Sequence, residues 1–597
     1  MNTSEELKAA ILRMDRRGYP AYKSLAGSWR FPEYVLNIDH VQGDPFASPS
    51  ALSVRIDGKR AGFPAEFLET KCRKTALEDQ LTRRFFQETG RLTERAKGSG
   101  KSGLIQSSRP GQEILERTAC RVRQSDGEIL FRFFVGFPAF GRSIAAGELV
   151  TILFEMLPKV IRAALFFHRE EAQAFQRVLD LADDQLALRD FLKRENLAAF
   201  VADGAVLPRE SGISQRPMKD AVPFRSPDTL RVTAELPHAG KVAGMGISRG
   251  VTLIVGGGYH GKSTLLDALQ LGVYNHIAGD GREYVVTDET AVKLRAEDGR
   301  SVKNTDISLF IDHLPGGRRG TDFSTENASG STSQAANTVE AIEAGSRVFL
   351  IDEDTCATNF MVRDALMERV VQREQEPITP FLDRIRPLFE EAGISTILAA
   401  GSSGLYFAPA DTVIQMKDYM PYDITERAKA AVREAGEKLR TDDPPGFRTD
   451  VPKDSRTAVL QDSGNDVSQD YLTEHSALSL PSFRRSPRPG RFSDRVKVKT
   501  GGIESFLLDH DEVRLGQLEQ IADREQTAAL AYCLLYLEER IFDGKRTLRE
   551  AAQKLQALLE QQGLEALSPG QRTVPMLAMP RPQEILACVT RYRGLRF

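Results

Sequence analysis

The sequence predicts an α/β protein whose central parallel core is flanked by an amino-terminal α+β domain and a mainly helical carboxy-terminal domain. Between residues of about 228 and 430, apolar strand-like runs alternate with helical segments, which is typical of parallel α/β architecture. The 597 residues exceed what one hydrophobic core usually organises. Charged residues make up 27% and the net charge is -3, so the overall charge balance does not point to a nucleic-acid or membrane partner, and any such partner must bind a local patch.

The regions on either side of the core have different patterns. Residues 1–200 mix strand-like runs at 51–56 and Ile129–Val135 with glycine and proline, and turn helical from about 148 to 200. Residues 203–227, rich in glycine, proline and serine, suit an extended linker. We expect domains at 1–200, 201–430 and 503–597. The polar, basic stretch between the last two, 431–502, has the composition of a partly disordered linker.

Cysteine usage and the amino terminus indicate a reducing compartment. The five cysteines are far apart and form no pair with the spacing of a metal site. The amino terminus begins polar and lacks the apolar core of a signal peptide. No run of about 18 apolar residues follows. We therefore expect a cytoplasmic protein without a transmembrane segment, in which any coupling to a membrane requires a separate partner.

A phosphate-binding loop follows the first apolar strand of the core. The run VTLIV precedes GGGYHGKST and the helical LLDALQLGV, which is the strand, loop and helix order of a P-loop. Its glycines let backbone N–H groups face phosphates at a helix amino terminus, where the dipole favours anions. Lys262 is expected to reach the β- and γ-phosphates of ATP, and Ser263 to bind Mg²⁺. The predicted nucleotide-binding residues of this loop are Gly256, Gly257, Gly258, Tyr259, His260, Gly261, Lys262, Ser263 and Thr264.

Two carboxylates follow a second apolar strand. The run 347–351 ends in Asp352 and Glu353, which places both at the carboxyl edge of the sheet, where ligands of α/β proteins bind. Asp352 would hold Mg²⁺ through water. Glu353 would be the catalytic residue, because it is placed to orient the attacking water in phosphoryl transfer. The alternative is an ordinary solvated acidic turn.

The sequence resembles ABC-type ATPases at a further segment, ASGST (328–332), which stands where that class carries an LSGGQ-like signature. In the class, the signature serine and glycine complete the γ-phosphate site of the opposite protomer, so two nucleotides lie between head-to-tail subunits. The resemblance implies a homodimer and gives this role to Ser329 and Gly330, with Ser331 beside them in the nucleotide site. On its own, the segment could equally be a helix start with Ser329 or Ser331 as the N-cap.

Two positions depart from the ABC pattern. Asn359 replaces the usual aspartate of the D-loop, which in such dimers contacts the partner's site. Where a switch histidine would follow the strand at 394–400, the sequence is GSSG (401–404), and the Ser402 hydroxyl cannot supply an imidazole. We therefore expect slow or differently gated hydrolysis. Phe224 is a candidate for stacking on adenine, and a core phenylalanine is the alternative.

Longer strings resemble one group of the class, the predicted ATPases of the ABC class, over nearly the whole chain. They include VQGDPFASP (41–49), FVADGAVLPR (200–209), VYNHIAGDGRE (273–283), FSTENASGSTSQAA (323–336) and DEDTCATNFM (352–361). The resemblance implies an amino-terminal α+β domain, a central ABC ATPase domain and a carboxy-terminal helical domain in a homodimer. Members have been linked to RNA, so the resemblance also implies an RNA partner.

The amino-terminal region contains a second glycine-rich loop, KGSGKSG (97–103). Arg95 stands where a Walker A motif needs its first glycine, so a second hydrolysis site is not expected. Successive N–H groups could clasp a phosphate, such as an RNA end or a phosphorylated small molecule. The residues of this candidate nest are Ser99, Gly100, Lys101 and Ser102. A flexible basic turn is the alternative.

A basic stretch with interleaved aromatics precedes the carboxy-terminal region. Because arginine binds phosphates and phenylalanine stacks on bases, single-stranded RNA could dock here in a salt-dependent manner. The arginines of the stretch are Arg484, Arg485, Arg488 and Arg491. A solvated linker is the alternative. Near the carboxyl terminus, the segment with Arg591, Arg593 and Arg596 could extend this face or simply pack as a helix.

The sequence thus leads to three functional hypotheses. The first is a homodimeric ATPase whose ATP-dependent closure controls the binding of RNA or another phosphate-bearing ligand, with ATP and Mg²⁺ as cofactors. The second is an ATPase that regulates a partner protein or serves as an ABC subunit. In the third, the amino-terminal domain binds a phosphorylated small molecule or an RNA end through its glycine-rich loop.

Overall fold

A computed structural model describes most of the chain, namely residues 2–92, 96–314, 318–363, 376–401, 403–441, 478–490, 496–568 and 573–597. Within these residues the chain forms a mixed α/β structure with sheets of seven, four, six and three strands and several two-stranded ribbons. No helix in the described ranges combines the length and the apolar character needed to cross a membrane.

The amino-terminal region is a mostly antiparallel sheet packed against helices. Its strands are β1 (Asn2–Thr3), β2 (Gly27–Arg30), β3 (Val35–His40), β4 (Ser50–Ile56), β5 (Ile105–Gln106), β6 (Glu113–Ile114), β7 (Cys120–Val122), β8 (Ile129–Val135), β9 (Ala139–Phe140) and β10 (Ser143–Ile144). Its helices are α1 (Ser4–Leu12), α2 (Gly58–Ala61), α3 (Lys71–Arg91), α4 (Ala146–Thr151), α5 (Leu157–Leu165) and α6 (Ala172–Arg194).

Both predicted strands of this region are confirmed, as β4 and β8. They pair antiparallel, with Ile56 opposite Ile129. Alternate residues of β8 are buried, as expected for a strand with one face on the core. The ring of Phe131 from β8 packs on Phe85 of α3, with ring centroids 4.4 Å apart, so helix and sheet share one core.

The predicted helical region ends earlier than expected, and the predicted linker after it is partly structured. Residues Leu197–Ala202 form strand β11, in which all six residues are buried. A continuously buried apolar run has the same pattern in a helix and in a strand, so periodicity cannot distinguish them. Within 203–227, residues 209–217 form a hairpin and Phe224 is buried, so this segment is not simply an extended linker.

The central region contains the predicted loop and carboxylates, which lie at the ends of parallel strands. Its strands are β11 (Leu197–Ala202), β12 (Arg209–Ser211), β13 (Ser214–Pro217), β14 (Arg231–Leu236), β15 (Gly240–Ser248), β16 (Val251–Val255), β17 (Asn275–His276), β18 (Val285–Thr287), β19 (Val292–Leu294), β20 (Val302–Thr305), β21 (His313–Leu314), β22 (Arg318–Arg319), β23 (Phe323–Thr325), β24 (Val348–Asp352), β25 (Ser395–Ala399), β26 (Thr412–Lys417) and β27 (Met420–Asp423). Its helices are α7 (Lys262–Leu271), α8 (Gly330–Glu343), α9 (Thr358–Met361), α10 (Phe381–Glu390) and α11 (Thr425–Thr441).

The strand order of the six-stranded sheet is β19-β24-β25-β16-β26-β27. The first five are parallel and β27 is antiparallel to β26, so the predicted parallel core is confirmed. Strands β16, β24 and β25 are almost wholly buried, as parallel strands covered on both faces should be. A second, antiparallel sheet with the order β14-β15-β11-β18 packs beside α6.

The carboxy-terminal region is mainly helical and begins with a small sheet. Its elements are β28 (Val498–Gly501), β29 (Ser505–Leu508), β30 (Asp511–Arg514), α12 (Arg524–Tyr536), α13 (Leu548–Gln562) and α14 (Pro582–Arg591). Arg117 of the amino-terminal region is buried here and forms ion pairs with Asp523 at 2.7 Å and Glu525 at 2.8 Å. Gln520 accepts a hydrogen bond from the Lys293 N–H of β19 at 3.0 Å. The carboxy-terminal region therefore contacts both other regions.

Candidate nucleotide-binding site

The predicted phosphate-binding loop, 256–264, joins the carboxyl end of β16 to the first turn of α7. Gly256 and Gly261 have φ angles of 146° and 95°, which glycine adopts without steric cost. A Cβ on Gly256 would lie 2.4 Å from the Met416 carbonyl oxygen, so β26 leaves room only for glycine. The Lys262 ammonium lies inside the loop and donates to the carbonyl oxygens of Gly256 at 2.7 Å and Gly257 at 3.1 Å.

The two predicted carboxylates follow β24, two strands from the loop in the same sheet. Asp352 ends the strand and is partly buried, and burial raises the pKa of its carboxyl above the usual value, against the opposing effect of the Asp354 N–H. Glu353 Oε2 accepts a hydrogen bond from the Gly401 N–H at 2.8 Å. A Cβ on Gly401 would lie 3.8 Å from Lys262 Nζ, so Gly401 lies between the carboxylate and the lysine.

The structure thus brings together the carboxyl ends of β16, β24 and β25, as the sequence predicted for the loop and the carboxylates. Gly401, whose N–H holds Glu353, was not predicted, because a backbone donor leaves no residue signature. Tyr406 was also missed; its ring is buried, and burial together with the nearby Glu353 raises the pKa of its hydroxyl. Ser402, whose hydroxyl stands near the position of a switch histidine in the sequence, lies outside the described residues.

The fit of Mg²⁺ can be judged from the oxygen atoms at this edge. Mg²⁺ is usually bound by one or two protein oxygens together with phosphate oxygens and water. Ser263 is exposed in the first turn of α7, and Asp352 is the last residue of β24. In the described parts of the chain, no cluster of three or more His, Cys, Asp or Glu side chains forms a metal cage of its own. The residues present therefore suit an ion that is held jointly by protein and nucleotide.

The signature segment begins helix α8. Ser329 is exposed and is the N-cap of the helix, accepting a hydrogen bond from the Thr332 N–H. Gly330 packs closely, since a Cβ there would lie 3.4 Å from that of Ala357. Ser331 is buried and donates to Asn359 Oδ1 at 2.6 Å. The N-cap role that the sequence allowed is therefore present, and the segment also contacts the D-loop position.

A hairpin turn closes over the phosphate-binding loop from the other side. Strands β26 and β27 are joined by Asp418 and Tyr419, whose φ angles are 50° and 65°. His260 Nδ1 accepts a hydrogen bond from the Asp418 N–H at 3.0 Å, and its carbonyl oxygen accepts one from the Tyr419 N–H at 3.2 Å. The sequence did not predict this turn, because two-residue hairpin loops usually contain Asn or Gly. Phe224, the candidate for adenine stacking, is 2% exposed and belongs to the core.

The amino-terminal loop 97–103 does not form the expected phosphate nest. Its N–H groups are used within the fold: Ser99 N–H donates to the Ala139 carbonyl, Lys101 N–H to that of Pro45, and Ser102 N–H to that of Ser99. The hydroxyl of Ser102 accepts from the Ala139 N–H. Gly100 packs on Pro45. A nest needs several N–H groups aimed at one anion, so this prediction is wrong.

The structure describes three of the four arginines of the basic stretch before the carboxy-terminal region, and one of these three is buried. Arg485 is buried, with its guanidinium donating to Glu343 Oε2 at 3.0 Å and to Thr305 Oγ1 at 2.6 Å, so it is not an RNA contact. Arg484 and Arg488 are exposed. Arg491 lies outside the described residues.

The arginines near the carboxyl terminus bond within the chain. Arg591 is buried against Glu297 at 2.7 Å. Arg593 donates to the Glu326 carbonyl at 3.0 Å, and Arg596 to that of Pro489 at 2.7 Å. These contacts hold the last helix and the residues after it against the fold, so of the two alternatives Arg591 follows the packed helix and does not extend a basic face.

Comparison with known proteins assigns each region to a family. The model of the ABC_ATPase P-loop domain matches residues 171–448, and that of the amino-terminal domain of ATPases of the ABC class matches residues 4–168. The model of the MRB1590 C-terminal domain matches residues 497–597.

Individual relatives are more distant. The uncharacterized protein MJ1628 of Methanocaldococcus jannaschii is 31% identical over 246 residues, which cover 40% of this chain and 54% of that protein. The match therefore spans about half of the length of that curated relative. Among solved structures, cbiO1 of Clostridium perfringens, part of the ABC transporter complex cbiONQ, matches 42% of this chain and 96% of its own, with 16% identity and a TM-score of 0.26. By its P-loop domain and its amino-terminal domain, the chain belongs to the ATPases of the ABC class.

Proposed function

We propose that this protein binds ATP with Mg²⁺ at the loop 256–264 and hydrolyses it to ADP and phosphate. The observation that supports this most directly is the hydrogen bond from the Gly401 N–H to Glu353, next to the Lys262 ammonium, which would lie 3.8 Å from a Cβ on Gly401. It brings a carboxylate acceptor and a cationic donor to one edge of the sheet. Phosphoryl transfer needs both, the first to orient water and the second to bind the phosphates.

Each residue has a defined task in this reaction. Lys262 exchanges its bonds to the Gly256 and Gly257 carbonyls for bonds to the β- and γ-phosphate oxygens. Glu353 accepts a hydrogen bond from the attacking water and so orients the oxygen of that water toward the γ-phosphorus. Ser263 and Asp352 would hold Mg²⁺, which would supply positive charge to offset that of the phosphate oxygens.

Hydrolysis is expected to be slow. After β25, where a switch histidine would stand, the backbone N–H of Gly401 instead holds the Glu353 carboxylate in place. This N–H carries no positive charge that could stabilise the γ-phosphate. A preorganised charged or polar donor to the γ-phosphate oxygens accounts for a large part of the rate in such sites. The nucleotide-bound state is therefore long-lived.

The sheet order supports a head-to-tail homodimer. Helix α8 packs on β19 and β20, and β19 is three strands from β16. At about 4.8 Å per strand this separation is about 14 Å. Ser329 at the start of α8 is exposed, so a second chain can bring its own Ser329 and Gly330 to the nucleotide. ATP then acts as a bridge between two protomers.

The test of the catalytic assignment is Glu353→Gln, compared with Asp354→Asn as a matched control at the next, exposed carboxylate. Glu353→Gln is expected to bind ATP with unchanged affinity and to hydrolyse it at least about a hundredfold more slowly than wild type. The reason is that the amide is a poor hydrogen-bond acceptor for the attacking water. Released phosphate measures turnover, and calorimetry measures binding. Wild-type turnover by Glu353→Gln would contradict the assignment.

A second candidate function, the binding of single-stranded RNA, is supported by one surface of the amino-terminal region. Phe46 is 65% exposed and Phe140 is 59% exposed. The loop 97–103 links them, because Gly100 packs on Phe46 and Ser99 Oγ accepts from the Gly141 N–H next to Phe140.

Exposed basic residues occur in the same segments as these two rings. They are Lys97 and Lys101 of the loop 97–103 and Arg142, two residues after Phe140. Exposed aromatic faces with neighbouring cations bind unpaired bases by stacking and phosphates by charge. We name Phe46, Phe140, Lys97, Lys101 and Arg142 the phenylalanine surface, and we propose that closure of the ATP-bound dimer controls RNA binding there.

A further inference from the structure

One face of the amino-terminal sheet carries a polar row across three strands. Asn37 of β3 lies opposite Ser53 of β4, and Ser53 lies opposite Arg132 of β8. Side chains alternate between the two faces of a strand, and Phe131, next to Arg132, packs on α3. The polar row is therefore on the face that turns away from α3.

A bulge in β3 adds a carboxylate to this face. The pairs on either side of Asp39 are Ile38 with Leu52 and His40 with Ala51. Asp39 is therefore an extra residue that β4 does not match. Such bulges re-aim a side chain and are common next to binding sites. Here the bulge brings Asp39 into the lining of the cavity that the polar row also lines.

This cavity has a volume of about 290 Å³ and lies between the sheet and the segment 573–576 of the carboxy-terminal region. Thr118 holds that segment in place, because its Oγ1 donates to the Pro575 carbonyl at 2.7 Å and its N–H to that of Leu577 at 3.0 Å. The volume is near the lower end for small-molecule sites. The apolar side chains of the lining include Leu130, Phe134, Val574 and Met576.

Arg132 has one unused edge of its guanidinium group in this cavity. Its Nη1 atom donates to the Thr118 carbonyl and, at 3.3 Å, to Glu565. Within the described ranges, its Nε and Nη2 atoms have no hydrogen-bond partner. This edge is the fork that binds a carboxylate through two parallel hydrogen bonds. Burial lowers the pKa of Arg132 in spite of the Glu565 carboxylate, so a second anion would stabilise its charge.

Asp39 is the opposite charge in the same cavity. In the part of the chain that the structure describes, no lysine or arginine forms an ion pair with its carboxylate. Burial raises the pKa of Asp39, against the opposing effects of the Ser53 hydroxyl and the Arg132 guanidinium. Asp39 and Arg132 thus influence each other across the cavity without pairing. A cation placed at Asp39 would stabilise its charged form.

We propose that this cavity binds a free α-amino acid with an apolar side chain. Its carboxylate bonds to the open edge of Arg132, and its ammonium bonds to Asp39. Its side chain packs on Phe134, Val574 and Met576. An anion alone would meet the charge of Asp39 and a cation alone that of Arg132, whereas a zwitterion pairs with both. This site is separate from the nucleotide site.

The first test measures the affinity of the full-length protein for L-leucine and L-phenylalanine by equilibrium dialysis near neutral pH. Isocaproate and hydrocinnamate are the same molecules without the ammonium, and isoamylamine and phenethylamine lack the carboxylate. We expect at least one amino acid to bind with a Kd below about 1 mM, and both of its analogues to bind at least about tenfold more weakly. Absence of binding by both amino acids, or equal binding of an analogue, would overturn the proposal.

The second test uses Asp39→Asn, with Glu33→Gln as the matched control. Glu33 pairs with Arg162 at 2.7 Å and does not line the cavity. Because burial disfavours the charge of Asp39, Asp39→Asn should keep the thermal midpoint. We expect Asp39→Asn to bind the amino acid at least about tenfold more weakly and no better than its analogue without the ammonium, and Glu33→Gln to bind like wild type. Equal affinities of the two variants would overturn the role of Asp39 and with it the proposed site.

Discussion

Ser331 of the signature segment donates a hydrogen bond to the side-chain oxygen of Asn359, with 2.6 Å between the two oxygens. A second bond, from the Ala357 N–H to Gln334 Oε1 at 2.9 Å, joins the same two elements one helical turn further along α8. Two hydrogen bonds therefore join the start of α8 to the segment after β24. The departure from aspartate at position 359 keeps an acceptor for Ser331.

The first prediction concerns this bond. In a Glu353→Gln background, Asn359→Ala is expected to weaken ATP-dependent dimerisation about fivefold, since a hydrogen bond is worth about 1 kcal/mol. Asn359→Asp keeps the acceptor and should dimerise like the parent. Analytical ultracentrifugation with Mg-ATP gives the dimerisation constants of both variants. If alanine and aspartate cause the same loss, the bond to Ser331 is not what positions the segment.

The second prediction tests whether the nucleotide site is shared between two chains. Ser329→Asp keeps an N-cap but sets a negative charge toward the nucleotide. Ser329→Asn is the neutral, cap-competent control. Ser329→Asp and Glu353→Gln should each be inactive alone, and mixing them should restore part of the ATPase activity, because one of the two sites in a mixed dimer is then intact.

The outcome of mixing separates the two arrangements. If Ser329 serves the site of its own chain, every chain in the mixture has one defect and no activity returns. Phosphate release is measured after the two variants are incubated together. Full activity of Ser329→Asp alone would remove Ser329 from the nucleotide site.

The third prediction concerns the buried Arg485. It lies against Glu343 and Thr305, and the pKa of nearby Glu340 is lowered by the Arg300 and Arg485 guanidinium groups in spite of its burial. Arg485→Ala leaves buried carboxylates uncompensated and is expected to cost about 3 kcal/mol of unfolding free energy. Exposed Arg484→Ala should cost almost nothing. Urea denaturation measures both, and equal midpoints would contradict the buried role of Arg485.

The fourth prediction concerns RNA. Phe46→Ala and Phe140→Ala are each expected to weaken the binding of a single-stranded oligonucleotide about fivefold or more. Lys101→Ala should reduce the slope of log affinity against log salt by about 1. Tyr422→Ala, an exposed aromatic far along the chain, is the control. Fluorescence anisotropy with and without ATP gives the affinities, and unchanged affinity in both phenylalanine variants would rule out the phenylalanine surface.

The amino-acid sequence by itself determined the strands of the candidate site and the functional segments that follow them. The runs that became β16, β24 and β25 are continuous and apolar, and each is followed directly by its functional segment. Parallel strands bring their carboxyl ends to one edge, so Lys262 and Glu353 could be placed together from local pattern alone. The parallel pairing itself follows from strands that alternate with helices.

Tertiary structure decided which polar groups remain available to a ligand. The N–H groups of the loop 97–103 are used by Ala139 and Pro45, and Arg485 is neutralised by Glu343, 142 residues away. Tyr419 lies beside Gly261 because β26 is the neighbour of β16, not because of any local motif. A polar group's partner and a ring's exposure depend on distant segments, and local patterning has no access to them.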